Sequence, residues 1–182
     1  MKRMKLKICY AAALLIAFWF TGVVNSQERP EIEQLLSTKK CPKCDLSGVN
    51  LSDKNLAGSD LTEANLSDAN LGGADLRGAT LTKANLQGAY LGQANFSEAN
   101  FSEANLRGAN LFEADLRTAN FTKANLSQSN LTRADIGRAN FNESDLTDAF
   151  LIEANLEGAN LSNTNLCGAF LPNGRRSIQG CR

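Results

Sequence analysis

Ala64-Asn65-Leu66-Ser67-Asp68 is followed directly by Ala69-Asn70-Leu71-Gly72-Gly73, and the same unit recurs through most of the chain. Every fifth residue from Leu46 to Leu171 is Leu, Phe or Ile, 26 times without a break. Phe96, Phe101, Phe121 and Phe141 are the aromatic variants, and Ile136 is the single isoleucine. Two residues before each stands a small side chain: 19 are Ala, and most of the rest are Ser, Thr, Cys44 or Val49, with Lys54 the exception. The residue between is nearly always Asn or Asp. The unit is therefore A-[N/D]-[L/F]-x-x. Its five positions are called small, amide, central, first corner and second corner below.

A period of five fits neither a helix at 3.6 nor an extended strand at 2. The small and central residues alternate inward as on a strand, but for one step only. Asn, Asp, Gly, Ser and Thr fill the other positions, which is turn chemistry. The physical reading is a coil of very short straight sides joined by tight corners. Ala stands where the interior has little room, and Leu or Phe fills the axis. Coils stacked about 4.8 Å apart satisfy backbone N–H and C=O groups in sheet-like ladders.

Residues 44–173 closely resemble the pentapeptide-repeat family. The resemblance implies an all-β fold, a right-handed quadrilateral β-helix with four pentapeptides per coil. On that basis the 26 repeats make six and a half coils, a stack about 30 Å long at a spacing of about 4.8 Å. A short N-terminal helical cap is expected between Pro30 and Lys40, with Ile32, Leu35 and Leu36 on one face over the first coil. The tail from Pro172 breaks the period and is expected to cover the last coil. The organisation read from the chain is residues 1–26 as a signal peptide, 27–43 as a cap segment, 44–173 as the β-helix and 174–182 as a cap tail.

Residues 1–26 carry Lys2, Arg3, Lys5 and Lys7 and no acidic residue, followed by the apolar run Ile8–Phe20 and Val24-Asn25-Ser26. This is the layout of a secretory signal cleaved before Gln27. The apolar run falls short of the roughly 20 residues that span a bilayer, so no membrane association is expected after cleavage. The formal net charge of the chain is zero; without the first 26 residues it holds 15 basic and 19 acidic residues, a net charge of −4. That balance gives no footprint for nucleic acid.

Export means an oxidising compartment, where cysteines pair. Cys41, Cys44, Cys167 and Cys181 follow the signal segment. In the stack that the resemblance implies, Cys41/Cys44 and Cys167/Cys181 lie at opposite ends, farther apart than the ~7 Å that a disulfide tolerates between Cα atoms. Cys167–Cys181 is then a clasp on the tail. The run Leu166-Cys167-Gly168-Ala169-Phe170-Leu171-Pro172-Asn173-Gly174, ending in Cys181, also resembles the C-terminal ending of exported cyanobacterial family members. Cys41-Pro42-Lys43-Cys44 reads as a local bridge or a packed thiol pair in the cap, or as a redox site of the C-x-x-C kind.

With residues 20 apart stacked, one face carries Glu63, Lys83, Glu103, Lys123 and Glu143, an alternating ladder that registers adjacent coils. It also places Phe101, Phe121 and Phe141 in the core as an aromatic stack. A second face gathers Tyr90, Phe112, Phe150, Ile152 and Phe170 at outward positions. Exposed apolar clusters mark contacts, so these five residues are a candidate docking surface for a protein partner or a second copy. The competing reading is that the tail folds over Phe150 and Phe170.

The chain has no histidine, so Ser-His-Asp and Cys-His catalysis are excluded. No phosphate-cradling glycine motif occurs, and one C-x-x-C without histidine does not complete a zinc site. The expectation is a non-catalytic exported structural or interaction module without cofactor or metal, in the periplasm or thylakoid lumen, as the resemblance to exported members implies. Two alternatives follow from the same residues. Some cytoplasmic family members mimic duplex DNA and bind gyrase, and residues 44–173 hold 16 acidic against 8 basic residues. The other is a thiol redox protein using Cys41 and Cys44.

Overall fold

The computed structural model describes residues 29–181; the expected signal peptide lies outside the described residues. Parallel β-bridges join each amide-position residue to its counterpart 20 residues on, from Lys40↔Asp60 to Phe150↔Phe170. Four pentapeptides therefore make one coil, and every side of a coil pairs with the same side of the next. The ladder consists of isolated bridges, because a corner follows every fifth residue and no side is long enough for a continuous strand.

The hydrogen bonding repeats with the sequence. The N–H of central Leu46 donates to the C=O of Asn65 one coil on (2.7 Å), and the N–H of Asn65 donates back to the C=O of Cys44 (2.9 Å). At each corner the next small residue closes a four-residue turn, as in Ala69 N–H to Leu66 C=O at 3.1 Å. The second corner residue has positive φ at every corner from Lys43 (61°) to Gly168 (75°), while the first corner residue does not. That is the signature of a type II turn. The amide residue explains itself at the same place: Asn70 Oδ1 accepts the N–H of Gly72 at 3.0 Å, and the equivalent bond recurs around the solenoid. This is the local Asx geometry that Asn and Asp supply. Asn side chains also link successive coils, with Asn85 Nδ2 donating to Asn65 Oδ1 at 3.1 Å and Asn105 Nδ2 to Asn85 Oδ1 at 3.1 Å.

The central and small positions form one continuous core, almost wholly sealed from Leu46 to Leu151. Phe101, Phe121 and Phe141 stack along it with centroids 4.8 and 4.7 Å apart and planes within 6°. The coil spacing sets that distance, so identical rings in one column meet face to face. Lys54, the bulky residue among the small positions, is exposed.

Helix α1, Pro30–Thr38, starts with Pro in its first turn and ends on Lys39 in the left-handed region. Leu35 is buried against the first coil and Ile32 packs on the core. Leu36 differs from expectation and is exposed. Neighbouring helical residues lie about 100° apart around the axis, so Leu35 and Leu36 do not share one contact line. Coil geometry begins earlier than the Leu/Phe periodicity. Cys41 sits buried in a central position, its N–H donates to Asp60 C=O (2.8 Å), and Lys43 N–H donates to Thr62 C=O (2.9 Å). The Cys41–Cys44 disulfide spans this first corner, with Cα atoms 5.3 Å apart.

The C-terminal tail turns at Gly174 and runs back antiparallel along the last coil. Leu171, Gly168 and Leu166 donate their N–H groups to the C=O groups of Arg175, Ser177 and Gln179 at 2.8, 2.9 and 3.1 Å. The Cys167–Cys181 disulfide holds its end (Cα–Cα 4.8 Å), and Arg176 anchors its middle to Asp148 at 2.9 Å. A disulfide that closes a loop of about 15 residues stabilises by about 3 kcal/mol through chain entropy. Cys181→Ser is expected to lower the thermal midpoint and to raise amide exchange at Leu166, Gly168 and Leu171, with the amides of the middle coils unchanged. Phe121→Ala, which opens the aromatic column, is expected to cost about 3–5 kcal/mol in denaturant unfolding.

Candidate functional site

The five residues of the candidate docking surface lie on one face, the side whose amide positions run Asn50, Asn70, Tyr90, Asn110, Asn130, Phe150, Phe170. Tyr90 and Phe150 are the most open, at 46% and 41% exposure. Phe112 and Ile152 occupy the first-corner column beside them and are half-buried. Phe150 stacks on Phe170 with centroids 5.3 Å apart, and the Arg176 guanidinium lies 5.6 Å from the Phe170 ring. The tail thus covers Phe170, while Phe150 stays open on its other side. Asn130 and Thr132 separate a Tyr90/Phe112 cluster from a Phe150/Ile152/Phe170 cluster in the same columns.

Tyr90 lies along the face. A Cβ at Gly72 would stand 2.5 Å from its Cε1, and one at Gly92 would stand 2.9 Å from its hydroxyl oxygen. Neither glycine has positive φ, so the backbone does not require them; the ring does. The aromatic residues also break the local hydrogen-bond rule. With Asn replaced by Tyr90 and Phe150, the N–H groups of Gly92 and Ile152 donate to no acceptor among the described residues. Each such replacement forgoes a hydrogen bond worth about 1 kcal/mol.

A charged rail borders this face. Gln93 Nε2 donates to Glu113 at 3.0 Å, and Arg133 pairs with Glu113 (3.7 Å) and Glu153 (2.7 Å). These bonds, Glu153 first, raise the Arg133 pKa further above its ordinary value. The ladder expected on the diagonally opposite corner appears as separate pairs: Lys83–Glu103 and Lys123–Glu143, both at 3.7 Å. Lys43–Glu63 at 3.5 Å extends it downward by one coil. In none of the four second-corner columns do carboxylates follow one another in adjacent coils, so no corner of the rod carries a continuous anionic stripe.

On the adjacent side, beyond the charged rail, lies a feature that spacing does not announce. Arg117, Asp135, Gly137, Arg138 and Glu157 line a shallow polar hollow. The signal for it is Gly137, a first-corner glycine without positive φ. Arg117 bonds Asp115 at 2.6 Å and reaches Asp135 at 3.7 Å. Among the described residues no group of three or more His, Cys, Asp or Glu is placed to hold a metal, and no helix is long and apolar enough to cross a membrane.

A coil of four pentapeptides with Leu or Phe inward at every side defines a repeat solenoid. Five overlapping stretches, 44–82, 79–117, 99–138, 109–148 and 134–171, match the family described as Pentapeptide repeats, and the chain belongs to that family. Among solved structures it is similar to a pentapeptide repeat protein of the Arabidopsis thaliana thylakoid lumen, at 35% identity over 57% of this chain and 70% of that one, with a TM-score of 0.52. It also matches HetL of Nostoc sp. strain PCC 7120, a pentapeptide repeat protein involved in heterocyst differentiation regulation (28% identity, 76% and 83% covered, TM-score 0.42). QnrB1, a plasmid-mediated fluoroquinolone resistance protein, shares the fold at 22% identity (78% and 80% covered, TM-score 0.54). A comparison with curated proteins found no match.

The hydrogen bond from Arg117 holds the Asp115 carboxyl below the usual carboxylate range. The unfolded chain takes up that proton at a higher pH, near 3.9, than the folded chain does. Stability from Asp115 is therefore complete above that range and is lost as pH falls through the lower folded value. Asp115→Asn is expected to flatten the acid limb of stability against pH, measured by urea midpoints at falling pH, and to leave the neutral-to-alkaline limb unchanged.

Proposed function

We propose that this chain is an exported, non-catalytic interaction module that docks a protein partner on the face formed by Tyr90, Phe112, Phe150, Ile152 and Phe170. The observation that carries the reading is the set of aromatic residues at amide positions. Asn satisfies the backbone there, yet Tyr90 and Phe150 replace it, stay open to solvent and leave Gly92 and Ile152 N–H groups without a described acceptor. Local rules are broken in this way where function requires it. Aromatic side chains bordered by charge match the anchor-and-rim layout of protein interfaces. The polar Asn130 and Thr132 between the two clusters divide the face into two anchor points.

Export to the periplasm or thylakoid lumen is supported by the basic and apolar layout of residues 1–26 and by the two cystines, which persist in oxidising compartments. The likeness to a lumenal protein of Arabidopsis points the same way. In this reading the right-handed coil is a rigid post, the Cys41–Cys44 bridge a structural staple and the solenoid the domain that presents the face.

A photo-crosslinking residue placed at position 150 or 112 is expected to give an adduct of discrete mass in the native compartment. The same residue at position 82, on another face, is expected to give none. Phe150→Glu/Ile152→Glu is expected to abolish the adduct from position 112 while the thermal midpoint stays within a few degrees. Equal adducts from positions 82 and 150, or survival of the adduct in the double variant, would sink this assignment. Mass spectrometry of the exported protein is expected to find Gln27 at its N-terminus.

A further inference from the structure

The tail covers part of the last coil and leaves the rest open. Leu156, Ala159 and Leu161 are half-buried, whereas their counterparts one coil below are sealed. The N–H groups of Leu156, Gly158, Leu161 and Asn163 donate to no acceptor among the described residues. An open edge with apolar side chains behind it is a template for strand pairing.

The chain's own tail shows how such an edge is filled. Residues 175–179 run antiparallel over residues 166–171. Their C=O groups at alternate positions (Arg175, Ser177, Gln179) accept from Leu171, Gly168 and Leu166. The middle residue, Ser177, faces inward and returns its N–H to Ala169 C=O at 2.8 Å. Two pentapeptides earlier the same atoms recur: N–H of Leu161, Gly158 and Leu156, and C=O of Ala159. The repeat therefore supplies a second copy of the pairing edge, with the partner strand missing.

We propose that the open edge Leu156–Leu161 binds an extended polypeptide segment of a partner, antiparallel, in the register that residues 175–179 use on the adjacent sides. Carbonyls at alternate positions meet the N–H groups of Leu161, Gly158 and Leu156. The middle side chain of the segment lies over Ala159, between Leu156 and Leu161, so a small or medium apolar residue fits there. Backbone pairing supplies affinity, and the middle position supplies selectivity. This edge is separate from the aromatic face, and the inference does not depend on that reading.

The test is residue-resolved amide exchange on the full chain with and without a capped five-residue peptide, Thr-Thr-Val-Thr-Thr, at saturating concentration, with molecular mass followed by sedimentation. In the free monomer Leu156, Gly158 and Leu161 are expected to exchange fast, while Leu166 and Gly168 are protected. Peptide is expected to slow the first three by about tenfold or more. A peptide with Lys at its centre is expected not to. Leu156→Glu/Leu161→Glu is expected to abolish the slowing while Leu166 and Gly168 keep their protection, which shows that the fold survives. Absence of slowing with the valine peptide overturns the proposal. So does a free chain that sediments as a dimer with these amides already protected, because the occupant is then a second copy.

Discussion

The rod depends on one backbone constraint: every fifth residue must adopt positive φ so that the chain turns a right angle without leaving the coil. Eight of the corners from Lys43 to Gly168 meet it with glycine, and the other 18 hold residues with a Cβ at φ between 55° and 63°. For an L-residue this conformation costs on the order of 1 kcal/mol. Such a corner is an isolated misfit, and only the stack offsets it. The corner N–H finds a carbonyl one coil on, as Glu63 does with Thr82 at 2.9 Å, and the central side chain is carried into a sealed core. Local strain and long-range pairing are thus exchanged residue by residue. That is why the array is cooperative and why a few coils alone would not hold together.

Once the corners are fixed, side-chain choice follows from position. The amide residue must bridge to the first-corner N–H, so Asn or Asp is favoured, and stacking then brings amide against amide in neighbouring coils. The small position faces a crowded interior, so Ala dominates. Where Ser replaces it the hydroxyl needs an acceptor. Ser144 finds Phe141 C=O at 2.8 Å, while Ser59 and Ser129 Oγ have no partner among the described residues. The second corner points to solvent, where charge pairs between coils add little individually. Its variability leaves that column free to carry different surfaces at no cost to the core.

This division explains what was legible in the sequence. The core was readable because its constraints repeat: Leu46 through Leu171 and the alanines before them announce the coil, and the four Phe residues announce the stack. The limits of the coil were less legible. Cys41 occupies a central position without looking like Leu, so the first corner is hidden behind a cysteine pair. Leu36 looks like its neighbour Leu35 but is turned away by helix geometry. The aromatic face could be placed by counting in twenties, yet the way Tyr90 lies across Gly72 and Gly92 could not, because it depends on a side-chain direction that spacing does not fix. The hollow at Gly137 is hidden for a related reason: its first-corner position separates it from the second-corner glycines that turn the chain at positive φ, but spacing does not say which neighbouring side chains frame the room it leaves.

The two ends of the rod solve one problem in different ways. A stack of coils always finishes on unpaired N–H and C=O groups, and its energy is linear in length, so an end is never repaired from within. At the N-terminal end α1 sets Leu35 into the opening and the Cys41–Cys44 bridge fixes the first corner. At the C-terminal end the chain reverses and supplies a short antiparallel strand, held by Cys167–Cys181 and by Arg176 on Asp148. A helix covers side chains but presents no row of carbonyls, whereas a reversed strand does. The strand therefore satisfies the sides it reaches completely and leaves the sides it does not reach fully open. The boundary between closed and open edge falls between Asn163 and Leu166, inside a single coil. The end of this solenoid is consequently divided, half cap and half exposed template, whereas the faces between the ends differ only in the side chains they display.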